Sequence, residues 1–258
     1  MWESPSTLYQ NFSTMKSKDI IKINDKALTS FNKMIQVGND LAKSGEHRAA
    51  EWFDTPEKRL EWWLDLEPQW RLAFSEAVFM QRKNKSAKEY QPTDEELIFL
   101  FEQKKIYVCG KGKFKHRNNS PDISFQLTNL SGLKNLTNLT RIECDFNGKI
   151  TSLEPLRHLV NLKVLWADNN QIVDLSPLME LPNLERLCIW NNQIKSIEPV
   201  LSMLSLYELT IGLYDQGNPV ETLAPLKHAT NLKSLHIGKV DYVGLKELDG
   251  VGFYVSNW

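Results

Sequence analysis

Cysteine is scarce in this chain, and the little there is lacks pairing or ligand spacing. The 258 residues hold three cysteines, Cys109, Cys144 and Cys188, with no CxxC among them. Such an odd, scattered set argues against a disulfide framework and for a reducing compartment. No apolar run is long enough to span a membrane, and the opening MWESPSTLYQ lacks the basic and apolar regions of a signal peptide. The expected location is therefore the cytoplasm, with no membrane partner. An excess of charge is also missing. Lys+Arg number 31 and Asp+Glu 32, which speaks against a nucleic-acid binder, since that function needs a basic face to neutralise phosphates. The densest basic stretch, KGKFKHR from Lys111 to Arg117, reads as a solvated loop.

Catalytic signatures are absent too. There is no GxSxG, no Gly-rich phosphate loop and no HExxH. The histidines His47, His116, His158, His228 and His236 show no ligand spacing, so neither a metal nor a cofactor is expected. Cys188 as a nucleophile has only His236 in its row, two strands away, to activate it.

What the chain does have is a repeat. NLKVLWADNNQIVDLSPLMEL (Asn161 to Leu181) is followed by NLERLCIWNNQIKSIEPVLSM (Asn183 to Met203). Leu162, Leu165, Asn170, Ile172 and Leu175 recur as Leu184, Leu187, Asn192, Ile194 and Ile197, and Leu206, Leu209 and Ile211 keep the 22-residue step. A fixed period in the twenties signals a solenoid whose turns bury their leucines only by stacking. Alternation within each copy predicts a short strand with two inward side chains. The inward pairs are Ile106/Val108, Ile142/Cys144, Leu165/Ala167, Leu187/Ile189, Leu209/Ile211 and Leu235/Ile237. Asn147, Asn170 and Asn192 are placed to bond backbone groups where the chain turns. No asparagine occupies the matching place after Ile211 or after Ile237. Pro155, Pro177, Pro199 and Pro225 forbid a long helix on the return path, which should be extended or 3₁₀. The phase breaks at Cys109–Gln126, Gly148–Lys149 and Gly212–Pro219, the last predicted as a four-residue bulge.

LxxLxLxxNxI, written here as LKVLWADNNQI and LERLCIWNNQI, resembles the leucine-rich repeat. The 22-residue length with its I-x-x-L-x-P-L tail is similar to the bacterial internalin-like and phosphatase-regulatory subclass. The resemblance covers roughly residues 104–248 and implies an α/β solenoid with a parallel concave sheet. It is specific for fold and permits, among other roles, an inhibitor or regulator of an intracellular enzyme.

Ahead of the repeats the pattern is helical. Residues 1–16 are polar and aperiodic and are expected to be extended or disordered. Residues 17–103 read as helices forming an N-terminal cap, with 104–258 as the solenoid and FYVSNW closing it. Leu28 to Ala42 have helical spacing, with Gly45 beyond, and Gly38, Asn39, Gly45 and Ala49 faintly resemble one tetratricopeptide repeat. Thr55-Pro56-Glu57 opens a helix that stops before Pro68. Another should run from about Gln69 to Arg82, and Thr93-x-x-Glu96 is a capping box for a short helix through Phe101. Trp52, Trp62, Trp63 and Trp70 read as the core of this cap. The competing reading is an enzyme or small-ligand site there, with the solenoid as a targeting arm.

Residues alternating with the inward pairs form three outward rows. The first is Lys105, Arg141, Val164, Arg186, Glu208 and Ser234; the second is Tyr107, Glu143, Trp166, Cys188, Thr210 and His236; the third is Cys109, Asp145, Asp168, Trp190, Gly212 and Gly238. Tryptophan and arginine dominate interface hot spots. Arg141, Glu143, Asp145, Trp166, Asp168, Arg186, Trp190 and Glu208 are accordingly expected to bind a protein partner, with Trp166 and Trp190 as an exposed aromatic pair. The alternative is that these charges and rings satisfy one another.

Overall fold

The computed structural model describes residues 53–80, 89–111 and 123–256. The helix expected over Leu28–Ala42, the tetratricopeptide-like residues, Trp52 and most of KGKFKHR lie outside the described residues. Among the described residues three α-helices come first, α1 (Pro56–Asp65), α2 (Pro68–Ala77) and α3 (Asp94–Phe101). Each starts where its cap chemistry dictates. The Thr55 side chain accepts from the Lys58 amide with Pro56 in the first turn. Thr93 and Glu96 bond each other's backbone amides at 3.3 and 2.9 Å, a complete capping box.

α2 is shorter than its sequence pattern suggests. The Val78 and Phe79 amides both turn to the Phe74 carbonyl, at 2.9 and 3.0 Å, and Met80 adopts φ 58. That left-handed residue takes the chain out of the helix well before Arg82. Trp63 and Trp70 are buried, and the Trp70 ring lies against Gly132, where an added Cβ would sit 2.3 Å from the indole. Its Nε1 donates to Asn129 Oδ1 at 3.1 Å. The helices thus dock on the first solenoid turn with Trp70 seated against Gly132, while Glu67 bonds Asn129 and Ser131 and Gln69 bonds Thr128. The buried Glu76 carboxylate on α2 accepts from the amide and hydroxyl of Ser124, tying the segment 123–127 to the helix.

The solenoid follows as β1 (Lys105–Tyr107), β2 (Arg141–Glu143), β3 (Val164–Trp166), β4 (Arg186–Cys188), β5 (Glu208–Leu213), β6 (Gln216–Gly217), β7 (Ser234–Ile237) and β8 (Tyr254–Ser256). The sheet order is β1-β2-β3-β4-β5-β7-β8, all parallel, with β6 pairing antiparallel to β5. The inward pairs are buried as predicted, from Ile106 and Val108 through Leu235 and Ile237. The return paths are short 3₁₀ turns, with a proline in the first turn of those at Glu154–Leu156, Ser176–Glu180, Glu198–Ser202 and Ala224–His228. Residues 254–256 of the FYVSNW segment supply the last strand, and Asn257 and Trp258 lie outside the described residues.

Side-chain amides join the turns. Asn147 Nδ2 donates to the Val108 and Cys144 carbonyls, both at 2.9 Å, and Asn192 Nδ2 to those of Ala167 and Ile189, both at 3.0 Å. The ladder runs further than sequence periodicity indicates. The predicted bulge is a β-hairpin, β5–β6, that loops out the residues between Ile211 and Asn218. Asn218 then supplies the missing rung, donating to Ile189 O and Ile211 O at 2.8 and 2.9 Å. One turn later the Tyr242 hydroxyl accepts from the Asn218 amide at 3.1 Å and donates to Ile211 O. Among the described residues, no helix is long and apolar enough to cross a membrane.

Candidate functional site

Parallel pairing sets the outward rows side by side. The register Lys105–Arg141–Val164–Arg186–Glu208–Ser234 is the first row, and Tyr107–Glu143–Trp166–Cys188–Thr210–His236 the second, as alternation predicts. Exposure separates the rows. Lys105 and Arg186 are exposed, while Arg141, Trp166 and Glu208 are half-buried. The Arg141 guanidinium stacks 4.2 Å over the Trp166 ring and bonds Glu143 Oε1 through Nε (2.8 Å) and Nη2 (2.7 Å). That holds a planar cation against an aromatic face in one orientation. Arg186 donates to the Tyr207 hydroxyl at 2.8 Å, lies 3.4 Å from Glu208, and has a raised pKa, from the Tyr207 bond first and the Glu208 charge second.

The third row differs from expectation. Asp145, Asp168 and Trp190 are buried, and so is Glu143 in the second row. Trp190, 3% exposed, is therefore not half of an exposed aromatic pair. The reason is the turn that follows. Phe146, Asn169 and Asn191, each directly after a third-row residue, adopt φ of 58, 54 and 53, and this left-handed geometry folds the chain over the row. Phe146 meets Trp190 edge-on at 6.4 Å. Asn169 Nδ2 donates to Asp168 Oδ2 at 2.9 Å, and Asn191 Nδ2 to Asn169 Oδ1 at 2.7 Å. Alternation cannot see this cover, because it lies outside the strands. Of the eight residues expected at the interface, Arg141, Trp166, Arg186 and Glu208 share an accessible face, and the other four lie beneath it.

The sequence reading also missed the residues at the strand entries. Lys104, Lys163 and Lys233 are exposed there, and Tyr207 sits between the Arg186 guanidinium (5.5 Å) and the Lys233 ammonium (5.9 Å). Their signal is recurrence one position ahead of the first row, where strand alternation has not begun.

Metal-type donors meet at one place among the described residues. Cys109, Glu143 and Asp145 bring one ligand atom each within 4.8 Å of the others, all buried. The Cys109 thiol donates to Asp145 Oδ1 at 2.8 Å. Burial first, then the Asp145 charge, pushes the Cys109 and Cys144 thiols far above the ordinary range, so both stay protonated and non-nucleophilic at neutral pH. Cys188 is also buried, beside Asp168 at 3.4 Å. At the far end of the second row, both His236 ring nitrogens bond hydroxyls, those of Ser234 and Ser256.

A family model described as Leucine Rich repeats (2 copies) matches residues 160–202. The structure of an internalin (inlF) from Listeria monocytogenes aligns with a TM-score of 0.52 at 24% identity, over 71% of this chain. The solenoid is a leucine-rich-repeat fold. This chain covers 48% of that internalin. An internalin C2 from the same species aligns at 0.48 and 22% identity, over 72% of this chain and 92% of that one. The functional domain of InlJ from Listeria monocytogenes aligns at 0.38 and 20%, over 52% and 32%. No curated protein matches the chain. In leucine-rich-repeat terms, the accessible patch lies on the outward side of the LxL strands, and the asparagine ladder marks the turns that bury its third row.

Proposed function

We propose that this leucine-rich-repeat solenoid is a protein-interaction module without catalytic activity, binding its partner on the concave face. The observation that carries the reading is Arg141 stacked on Trp166 at 4.2 Å, with exposed Arg186 on the second strand along. A pre-oriented arginine and an aromatic ring on rigid strands lose little conformational entropy on binding, and both types dominate interface energetics. Arg141, Trp166, Arg186 and Glu208 are assigned to the contact; Glu143 positions Arg141 from below. The buried, protonated thiols support a non-catalytic role.

The helices α1–α3 act in this reading as the N-terminal cap. Trp63 and Trp70 fill the core instead of lining a site, and the Trp70–Gly132 contact closes the first turn. An open groove of about 730 Å³ lies where α1 meets that turn, floored by Phe53, Trp62 and Leu66 and edged by charges of both signs. Affinity capture followed by mass spectrometry tests the function. The wild-type chain should retain a specific protein that Trp166→Ala/Arg186→Ala loses, with its thermal midpoint held within a few degrees. Equal capture by the folded variant would falsify the reading.

A further inference from the structure

We propose that the strand-entry edge of the concave face is a cationic stripe that receives an extended acidic segment of the partner protein. The inference rests on the concave-face reading and names the chemistry of what binds there. The first outward position of each strand and the position just ahead of it hold Lys104, Lys105, Arg141, Lys163, Arg186 and Lys233 against only Glu185 and Glu208. This local excess stands on a chain whose total charge is −1. The compensating acids Glu143, Asp145 and Asp168 lie buried under the same face, out of a ligand's reach.

The stripe is also shaped for carboxylates. Trp166 and Tyr207 hold the guanidinium groups of Arg141 and Arg186 in place; Arg141 uses Nε and Nη2 on Glu143, while both terminal nitrogens of Arg186 remain as a fork that matches a carboxylate. Strands about 4.8 Å apart put β1 and β7, five intervals apart in the sheet, about 24 Å from each other. An extended segment of about seven residues spans that distance. Glu185 and Glu208 interrupt the stripe, paired with Lys163 at 2.9 Å and Arg186 at 3.4 Å. A peptide can set neutral side chains opposite these carboxylates. A nucleic-acid backbone has a charge at every step and cannot avoid them.

Fluorescence anisotropy with a labelled heptapeptide alternating glutamate with serine, which can set neutral side chains opposite Glu185 and Glu208, tests the proposal, with seven-nucleotide oligothymidylate as the comparison probe. The peptide should bind at 50 mM salt and weaken at least tenfold at 500 mM, as screening of exposed charges requires. Lys163→Glu/Arg186→Glu/Lys233→Glu should bind it at least tenfold more weakly. The neutral variant Lys163→Gln/Lys233→Gln should fall between, which keeps the test valid if the triple reversal fails to fold. No binding of the peptide, oligothymidylate binding as tightly, or unchanged affinity in the neutral variant overturns the acidic-segment proposal. If the peptide fails while partner capture remains sensitive to Trp166→Ala/Arg186→Ala, only the partner's chemistry is wrong. If both fail, the concave-face reading falls with it.

Discussion

Asn218 donates to the Ile211 carbonyl at 2.9 Å across a β-hairpin that separates them in sequence but not in space. Its side chain also holds Ile189 O at 2.8 Å and the Ile194 amide at 3.2 Å. Asn218→Ala leaves the buried Ile194 amide unsatisfied, at a cost of about 1–3 kcal/mol, and takes one of two bonds from each of the Ile189 and Ile211 carbonyls, which keep Asn192 and Tyr242. A loss of about 1–3 kcal/mol is expected in urea denaturation. The hairpin itself is dispensable by this argument. Deleting Leu213–Gln216 gives Ile-Gly-Gly-Asn, the same spacing as Ile189-Trp190-Asn191-Asn192, so the shortened chain should fold with its rung intact. An Asn218→Ala protein as stable as wild type would show that the rung carries no stability.

A second irregularity predicts a gain instead. Leu127, Ile172 and Ile194 each donate a backbone amide to the asparagine of the following turn, Asn147, Asn192 and Asn218. The matching donor for Asn170 would be Ile150, but Asn170 Oδ1 is buried without a hydrogen bond. FNGKI carries one extra residue between Asn147 and Ile150, and Gly148 within it adopts φ 70. Deleting Gly148 should restore the rung and stabilise the protein by about 1 kcal/mol, the net worth of one buried hydrogen bond. A drop in thermal midpoint would mean that the Gly148 turn contributes more than the rung.

These two cases show what the sequence could and could not convey. The inward leucines, the first two outward rows and the strand register were legible because strand alternation and a fixed period act locally and repeat. Asn218 was not, because counting positions along the chain includes hairpin residues that the sheet leaves out. The burial of Trp190 was not, because its cover comes from left-handed turns; Asn169 and Asn191 suit that geometry, but Phe146 gives no such hint. The candidate site was thus half legible: alternation set Arg141, Trp166, Arg186 and Glu208 on one accessible face, and the burial of the other four required the turns.

That depth separates two tryptophans that look equivalent in the repeat. Trp190 is 3% exposed and packs on Phe146, so Trp190→Ala should cost about 3–5 kcal/mol, as large core truncations do. Trp166→Ala removes a half-buried ring and a cation–π contact worth about 0.5–1 kcal/mol, and should stay folded at 25 °C. Guanidinium denaturation of the two single variants checks the order. A Trp190→Ala midpoint at or above that of Trp166→Ala would contradict the buried assignment.

The buried thiols fix the direction of the pH response. Cys109 and Cys144 are raised in the folded state, chiefly by burial, with Asp145 adding to it. The unfolded chain releases these protons near the ordinary thiol value of about 8.5. The folded chain keeps them, so their stabilisation is complete below about pH 8.5 and is lost as pH rises. Two thiols give a slope of about 2.7 kcal/mol per pH unit once the unfolded state is ionised, twice the 1.36 kcal/mol of a single group. Urea denaturation between pH 7.5 and 9.5 should show stability flat at first and then falling. Cys109→Ser/Cys144→Ala should flatten the fall, because neither replacement ionises in that window and serine can still donate to Asp145. An identical slope in the double variant would place the alkaline loss on other groups and return both thiols to ordinary behaviour.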